Sequence, residues 1–144
     1  MGASRWTYFT PYRPDAQEAL DELRAAAFAA DAVYYREGGV ETPAALVASG
    51  RLDEEPAHSV LDVRRVVRCE EDLEEPGDVR VIEPAETAEL FGTAQPVREA
   101  VERALRRAGD GWFPPVDRGS GCVAAVHDAG GRPVAWCFWG LTGD

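Results

Sequence analysis

Apolar residues recur at helical spacing in four segments of the chain. In the first of them, residues 14–36, the intervals of three and four residues place the apolar side chains along one helix face. A proline near the start and a glycine after the end mark this segment and three shorter ones, at 43–49, 84–91 and 96–108. We expect four helices, and we expect the apolar face of the first to be core. That face consists of Ala16, Leu20, Leu23, Ala27, Ala30 and Tyr34.

Runs rich in β-branched and aromatic residues lie between and around these helices, at 5–9, 59–69, 79–82, 122–127 and 133–139. The last two runs are joined by a short glycine-containing turn, which is typical of an antiparallel hairpin. The middle two are joined by a segment too short for a crossover helix, which also favours antiparallel pairing. The order β-α-α-β-β-α-α-β-β therefore predicts an α+β fold with a mainly antiparallel sheet of about five strands.

Composition places the chain among ordinary globular proteins. With 144 residues, 45% apolar and 28% charged, we expect one domain over residues 1–144. The chain has no Lys, no Asn, one Ile and 23 Ala, a bias typical of a GC-rich bacterial genome. The lack of Lys excludes Schiff-base chemistry, a phosphate-loop lysine and a Ser-Lys dyad.

The hydropathy pattern also bears on where the protein acts. The first residues contain no apolar stretch of the kind found in a signal peptide, and no segment approaches the roughly 18 apolar residues of a membrane helix. We therefore expect a cytoplasmic protein without membrane association. Nothing in the sequence decides between a monomer and a homodimer.

Cysteine and histidine spacing argues against a metal site. Cys69, Cys122 and Cys137 are odd in number and far apart, unlike the framework of a small secreted domain. Neither they nor the two histidines, His58 and His127, form the close pairs of a zinc site. We expect no metal and no cofactor. Cys122 and Cys137 fall on the two strands of the terminal hairpin, as buried thiols or, alternatively, as a redox pair.

Negative charge is concentrated in the middle of the chain. The net charge is −11, which disfavours binding to nucleic acid. Residues 53–90 contain thirteen acids and four bases, a net charge of −9. This segment is either a solvated face or a surface for a positively charged partner. The leading hypothesis is a non-enzymatic protein that docks a basic protein partner, as an immunity protein or antitoxin does. The residues predicted to bind it are Glu70, Glu71, Asp72, Glu74, Glu75 and Asp78.

Aromatic residues cluster near the two ends of the chain. Alternation places Trp136 and Phe138 on one face of the last strand and Trp139 on the other. These side chains are either core or an aromatic surface. The alternative function is a small cofactor-independent enzyme or ligand-binding protein, and a third is a homodimer that pairs through the aromatic hairpin. The predicted ligand pocket consists of Trp6, Tyr8, Trp136, Trp139 and Arg132.

Two places in the sequence bring an imidazole near a carboxylate, and these are the candidate catalytic pairs. His127 precedes Asp128 at the hairpin turn, and His58 lies four residues before Asp62. A carboxylate can orient an imidazole for proton transfer near neutral pH. Adjacent strand residues point to opposite faces, however, so His127 and Asp128 pair only if the turn bends them together.

Overall fold

One five-stranded sheet runs through the centre of the molecule. The computed structural model describes residues 4–68, 76–107 and 119–142. The strands are β1 (Ser4–Pro11), β2 (Arg65–Val67), β3 (Asp78–Val81), β4 (Ser120–His127) and β5 (Pro133–Thr142). Their order across the sheet is β1-β5-β4-β3-β2, so the first and last strands in the sequence are neighbours.

Helices cover both faces of the sheet, and the predicted α+β class is confirmed. Before β2 come α1 (Ala16–Ala30), α2 (Ala32–Glu37), α3 (Pro43–Ala48), α4 (Arg51–Glu54) and a 3-10 turn (Val60–Asp62). Between β3 and β4 come α5 (Pro84–Phe91) and α6 (Arg98–Arg107). Residues of α1 pack against one face of the sheet and Val101 of α6 packs against the other. None of the helices in the described ranges is long and apolar enough to cross a membrane.

The predicted antiparallel pairing of the two middle strands is wrong. The pairs β1–β5 and β4–β5 are antiparallel, and the latter is the predicted hairpin. The pairs β2–β3 and β3–β4 are parallel, so the sheet is mixed. Because β2 has only three residues, the chain has to travel back only about 10 Å before β3 begins. The connection between them therefore needs no crossover helix, and its length did not indicate strand direction.

A local hydrogen-bond motif replaces much of the strand predicted for residues 59–69. The Ser59 side chain accepts a hydrogen bond from the N–H of Leu61 (3.2 Å), and the Asp62 carboxylate accepts from the N–H groups of Ala57 (2.7 Å) and Ser59 (3.3 Å). Such bonds compete with strand pairing and favour a turn. The segment forms the 3-10 turn and only then the short β2; position 69 lies outside the described residues.

The first predicted helix is divided, and its buried face differs in part from the predicted one. The chain breaks helical geometry at Asp31 (φ −113°, ψ 20°), which separates α1 from α2. Of the predicted face, Ala16 and Leu20 are buried, Leu23 and Ala27 are partly buried against the core, Ala30 is exposed and Tyr34 is 51% exposed. The fully buried positions also include Ala19, Arg24 and Phe28.

The buried face of α1 includes a charged residue. Arg24 is buried, and its Nε and Nη2 atoms have no hydrogen-bond partner among the described residues. Desolvation lowers the pKa of Arg24 below its ordinary value; the charge of Asp21 opposes this shift and that of Arg64 adds to it. A pattern built on apolar residues could not find this position.

The indole ring of Trp6 packs on two glycines of the neighbouring strands. Trp6 of β1 lies opposite Gly140 of β5, which lies opposite Gly121 of β4. A Cβ atom at Gly140 would be 2.6 Å from Cε2 of Trp6, so this strand position must lack a side chain. The Trp6 Nε1–H donates to Thr142 Oγ1 (2.9 Å), whose hydroxyl donates to Asp62 Oδ2 (2.7 Å). These two hydrogen bonds link β1 to β5 and β5 to the 3-10 turn.

Replacement of Gly140 by Ala tests this packing. We expect Gly140→Ala to lower the free energy of unfolding by more than about 2 kcal/mol, because the indole must leave its place in the core. Gly130→Ala, in the exposed hairpin turn, is the matched control and should cost less than about 1 kcal/mol. Urea unfolding followed by tryptophan fluorescence measures both, and equal effects of the two substitutions would contradict the role given to Gly140.

Candidate functional site

A cleft of about 180 Å³ lies where the parallel strands β2 and β3 end. We call it the carboxyl-end cleft. The residues that matter for its chemistry are Arg68, Ile82, Glu83, Thr87, His127 and Trp136. Size alone does not single it out, because a groove of about 330 Å³ follows α5 and α6. The carboxyl-end cleft differs because an imidazole, a guanidinium, a carboxylate and the start of a helix meet there.

The cleft forms because β3 leaves the sheet earlier than β4. Just after β3, the N–H of Ile82 donates a hydrogen bond to the carbonyl of Val123 in β4 (2.9 Å), and the chain then turns into α5. Further along β4, the N–H of His127 donates to the carbonyl of Pro96 (2.8 Å), in the segment that leads into α6. The space between these two contacts is the cleft. Carboxyl ends of parallel strands are common ligand sites in open sheets.

Alternation along β4 sets the position of His127, two residues after Ala125, which also lines the cleft. The register of β4 against β5 shifts beside it: Val126 lies opposite Ala135 and His127 opposite Pro133, so Val134 of β5 is the extra residue. Such irregularities are frequent beside functional sites. His127 lines the cleft, and its Nδ1 atom is enclosed by protein with no hydrogen-bond partner in the described ranges. An unsatisfied buried polar atom costs about 1–3 kcal/mol, so this nitrogen retains unused bonding capacity.

The other polar groups of the cleft differ in the hydrogen bonds and ion pairs that they make within the fold. Arg68 is exposed and forms no ion pair with any residue that the structure describes. Glu83 precedes α5 without making a side-chain capping bond. The Thr87 hydroxyl bonds to the carbonyls of Glu83 (2.9 Å) and Ile82 (3.3 Å), so it serves the helix. The Trp136 Nε1–H donates to the Arg13 carbonyl (2.7 Å), which leaves its ring as an apolar wall.

The two predicted imidazole–carboxylate pairs have different outcomes. Asp128 turns away from His127, because its Oδ1 accepts from the N–H groups of Gly130 and Arg132 (both 2.9 Å). His58 has φ +55° and places Nδ1 3.0 Å from Ser4 Oγ, whereas the Asp62 carboxylate serves the 3-10 turn and Thr142. Of these four candidates only His127 lines the carboxyl-end cleft.

The structure does not bring the predicted aromatic pocket together. Trp6, Tyr8 and Trp136 lie on the sheet face that α1 covers, and Trp6 and Trp136 are core residues there. Trp139 is buried on the opposite face, against residues of α5 and α6. Arg132 is exposed in the hairpin turn. Alternation placed Trp139 correctly opposite Trp136 and Phe138, so one pocket could not have contained the whole set.

Several acids of the negative segment are engaged within the fold. Asp78 is nearly buried, with a side chain 4% exposed, and accepts two bonds from Arg65 (2.9 and 2.7 Å). Glu86 accepts two bonds from Arg80 (2.6 and 3.0 Å), whose side chain is 9% exposed. Asp78 therefore does not belong to an exposed acidic surface. The other predicted partner-binding acids lie outside the described residues: Glu70, Glu71, Asp72, Glu74 and Glu75.

The exposed acids of this segment that the structure describes are also separated in space. Asp53 and Glu54 lie on α4, which packs with the α1 layer, whereas Glu83 and Glu89 belong to the α5 region on the other face. They do not form one continuous surface. The helices that carry them pack on opposite faces of the sheet, which linear charge counting does not reveal.

Thiol and metal chemistry find little support in the described part of the chain. Cys122 and Cys137 are buried and neither is in a disulfide. Burial raises the pKa of the Cys137 thiol far above its ordinary value, which makes this thiol a poor nucleophile. Cys69 lies outside the described residues. Within them, no group of three or more His, Cys, Asp or Glu side chains is arranged to hold a metal ion.

Comparison with known proteins does not identify the site. No protein family, curated protein or solved structure matches this chain. The interpretation therefore depends on geometry. Sequence reasoning missed Arg68, which lies near the end of the β-rich run 59–69, and Glu83, which directly follows the run 79–82. A correct prediction of parallel pairing would have drawn attention to both, because carboxyl ends of parallel strands meet at one edge.

The Arg80–Glu86 pair leads to a stability prediction. Glu86→Ala should lower the free energy of unfolding by about 2–3 kcal/mol, because it removes two charge-assisted hydrogen bonds from a nearly buried guanidinium. Glu89→Ala, an exposed acid on the same helix, should change it by less than about 0.5 kcal/mol. Chemical denaturation of the two variants provides the comparison. A similar small effect of both would mean that the ion pair contributes little.

Proposed function

We propose that the protein binds a small molecule in the carboxyl-end cleft. The observation that carries the proposal is the His127 imidazole, which lines the cleft and has a buried nitrogen without a hydrogen-bond partner in the described ranges. Small-molecule sites combine mainly apolar walls with a few placed polar groups. Ile82 and Trp136 supply apolar walls here, and His127 and Arg68 supply polar groups.

The dimensions of the cleft limit the size of the ligand. Sites for drug-sized ligands have volumes of roughly 300–1,000 Å³. At about 180 Å³ the carboxyl-end cleft suits a smaller metabolite or one group of a larger one. The His127 imidazole also gives the site a proton donor or acceptor, so cofactor-independent proton transfer is a chemistry that this cleft can support.

Obstruction of the cleft tests the proposal. Ala94 is exposed and lines the cleft, so Ala94→Phe should fill it without disturbing the core. Ala26→Phe, on the exposed side of α1, is the matched control. A set of small anionic, neutral and cationic metabolites is screened by thermal unfolding, where a ligand at 100 times its Kd stabilises by about 2.7 kcal/mol. Stabilisation should disappear in Ala94→Phe and persist in Ala26→Phe.

A screen without stabilising compounds, or with compounds that stabilise Ala94→Phe as much as the control, would reject the cleft as the site. Backbone amide resonances of His127 and Trp136 provide a second readout, since a bound compound should shift both.

The docking of a basic protein partner is a second candidate function. The observation that favours it is the run of five acids within residues 70–75, interrupted only by Leu73. Because Asp78, Glu86 and Asp62 are engaged within the fold, this hypothesis depends on that short run. A partner with a cationic site, as in the complex of an immunity protein or antitoxin with its toxin, has the chemistry to bind it.

Charge reversal separates docking through this run from a general charge effect. The triple variant Glu70→Arg, Glu71→Arg and Glu74→Arg should weaken binding of an arginine-rich probe peptide by more than about 1 kcal/mol. The same change of net charge at Glu18, Glu37 and Glu99, all exposed elsewhere, is the control. Association rates of the unmodified protein should fall steeply with added salt. Equal weakening in both triple variants would mean that only the total charge matters.

A further inference from the structure

We infer that the carboxyl-end cleft selects an anionic group, a carboxylate or a small oxyanion, held between Arg68, the first turn of α5 and His127. The inference specifies the ligand class of the proposed function and rests on it. Three independent features of the cleft support it: an arginine, a helix start and an imidazole.

Arg68 is the first feature. Arg65 and Arg80 lie on the neighbouring stretches of β2 and β3, and each makes a two-bond ion pair with an acid of the fold. Arg68 follows β2, lines the cleft and has no such pair with a described residue. A planar guanidinium that lacks an internal acid is suited to two-bond recognition of a carboxylate or oxyanion.

The start of α5 is the second feature. The helix has eight residues and begins at Pro84, and Glu83, Pro84 and Thr87 line the cleft. The N–H of Thr87 is bonded to the Glu83 carbonyl (2.8 Å). The first turn of a helix carries partial positive charge and favours an anion nearby.

The imidazole of His127 is the third feature. It lines the cleft together with Arg68 and Glu83, and its Nδ1 atom has no hydrogen-bond partner in the described ranges. An imidazole N–H is a hydrogen-bond donor, so the ring adds a second donor side chain beside Arg68.

Glu83 opposes the anion and makes the inference easy to test. Its exposed carboxylate stands at the start of α5, where it repels a ligand anion or takes its place. Glu83→Gln should therefore strengthen anion binding, whereas Arg68→Gln should weaken it. If the cleft instead binds a cationic or zwitterionic ligand through Glu83, Glu83→Gln should weaken the binding of that ligand and Arg68→Gln should strengthen it.

The experiment titrates the protein with sodium sulfate at constant ionic strength and pH, and follows backbone amide resonances. We expect shifts at Arg68, Glu83, Thr87 and His127, which all line the cleft. Arg68→Gln should raise the Kd about tenfold, and Glu83→Gln should lower it severalfold.

Matched controls are Arg36→Gln and Glu89→Gln, which change the same charges on exposed sites away from the cleft and should leave the Kd unchanged. Shifts spread evenly over surface arginines, or a Kd that ignores Arg68→Gln, would overturn the inference. Neutral or cationic metabolites that shift His127 while sulfate does not would overturn the anion class and leave the proposed function standing. No compound of any charge at the cleft would reject both.

Discussion

The parallel pairing of β2, β3 and β4 is the constraint on which the candidate site depends. It places the ends of β2 and β3 at one edge of the sheet, where Arg68 and Glu83 follow those strands and α5 begins. β4 runs parallel to β3 and ends at His127, which brings this residue to the same edge. An antiparallel β3 would present its opposite end there, and the imidazole would meet neither the helix start nor Glu83.

The same pairing explains how a very acidic chain pairs the charges on β2 and β3. Arg65 lies directly opposite Asp78 across the two strands, and Arg80 reaches Glu86 on the helix that follows β3. Each of these arginines is matched with an acid, so Asp78 is nearly buried and Glu86 is engaged within the fold. Linear counting of charges assigned those acids to a surface, although their partners are only visible once the strands are paired.

The sequence predicted elements well where one local signal dominated. The hairpin of β4 and β5, the start of α5 at Pro84 and the opposite orientation of Trp136 and Trp139 all follow from turn chemistry or alternation. The errors occur where two signals competed. At residues 59–68, side-chain bonds of Ser59 and Asp62 overrode β propensity and shortened β2, so the number of residues between β2 and β3 did not indicate strand direction.

The candidate site was harder to predict for the same reason. His127 was selected for its chemistry, but its partners in the cleft come from other strand ends and could not be found without strand direction. Its neighbour Asp128 was the natural partner in the sequence, and the hairpin turn instead uses that carboxylate for two backbone N–H groups. A residue type indicates what chemistry is available, whereas topology decides which groups meet.

The net charge of −11 and an anion-selective cleft are physically compatible. At physiological salt the Debye length is about 8 Å, so exposed carboxylates farther than this from the cleft act weakly on a ligand inside it. An anion bound as proposed would contact Arg68 and His127 directly, where screening is small. The acidic surroundings would then slow the approach of anions in general, while the cleft would hold those whose shape places an oxygen against its donors. Selectivity on such a protein comes from local geometry, since its long-range field favours the opposite charge.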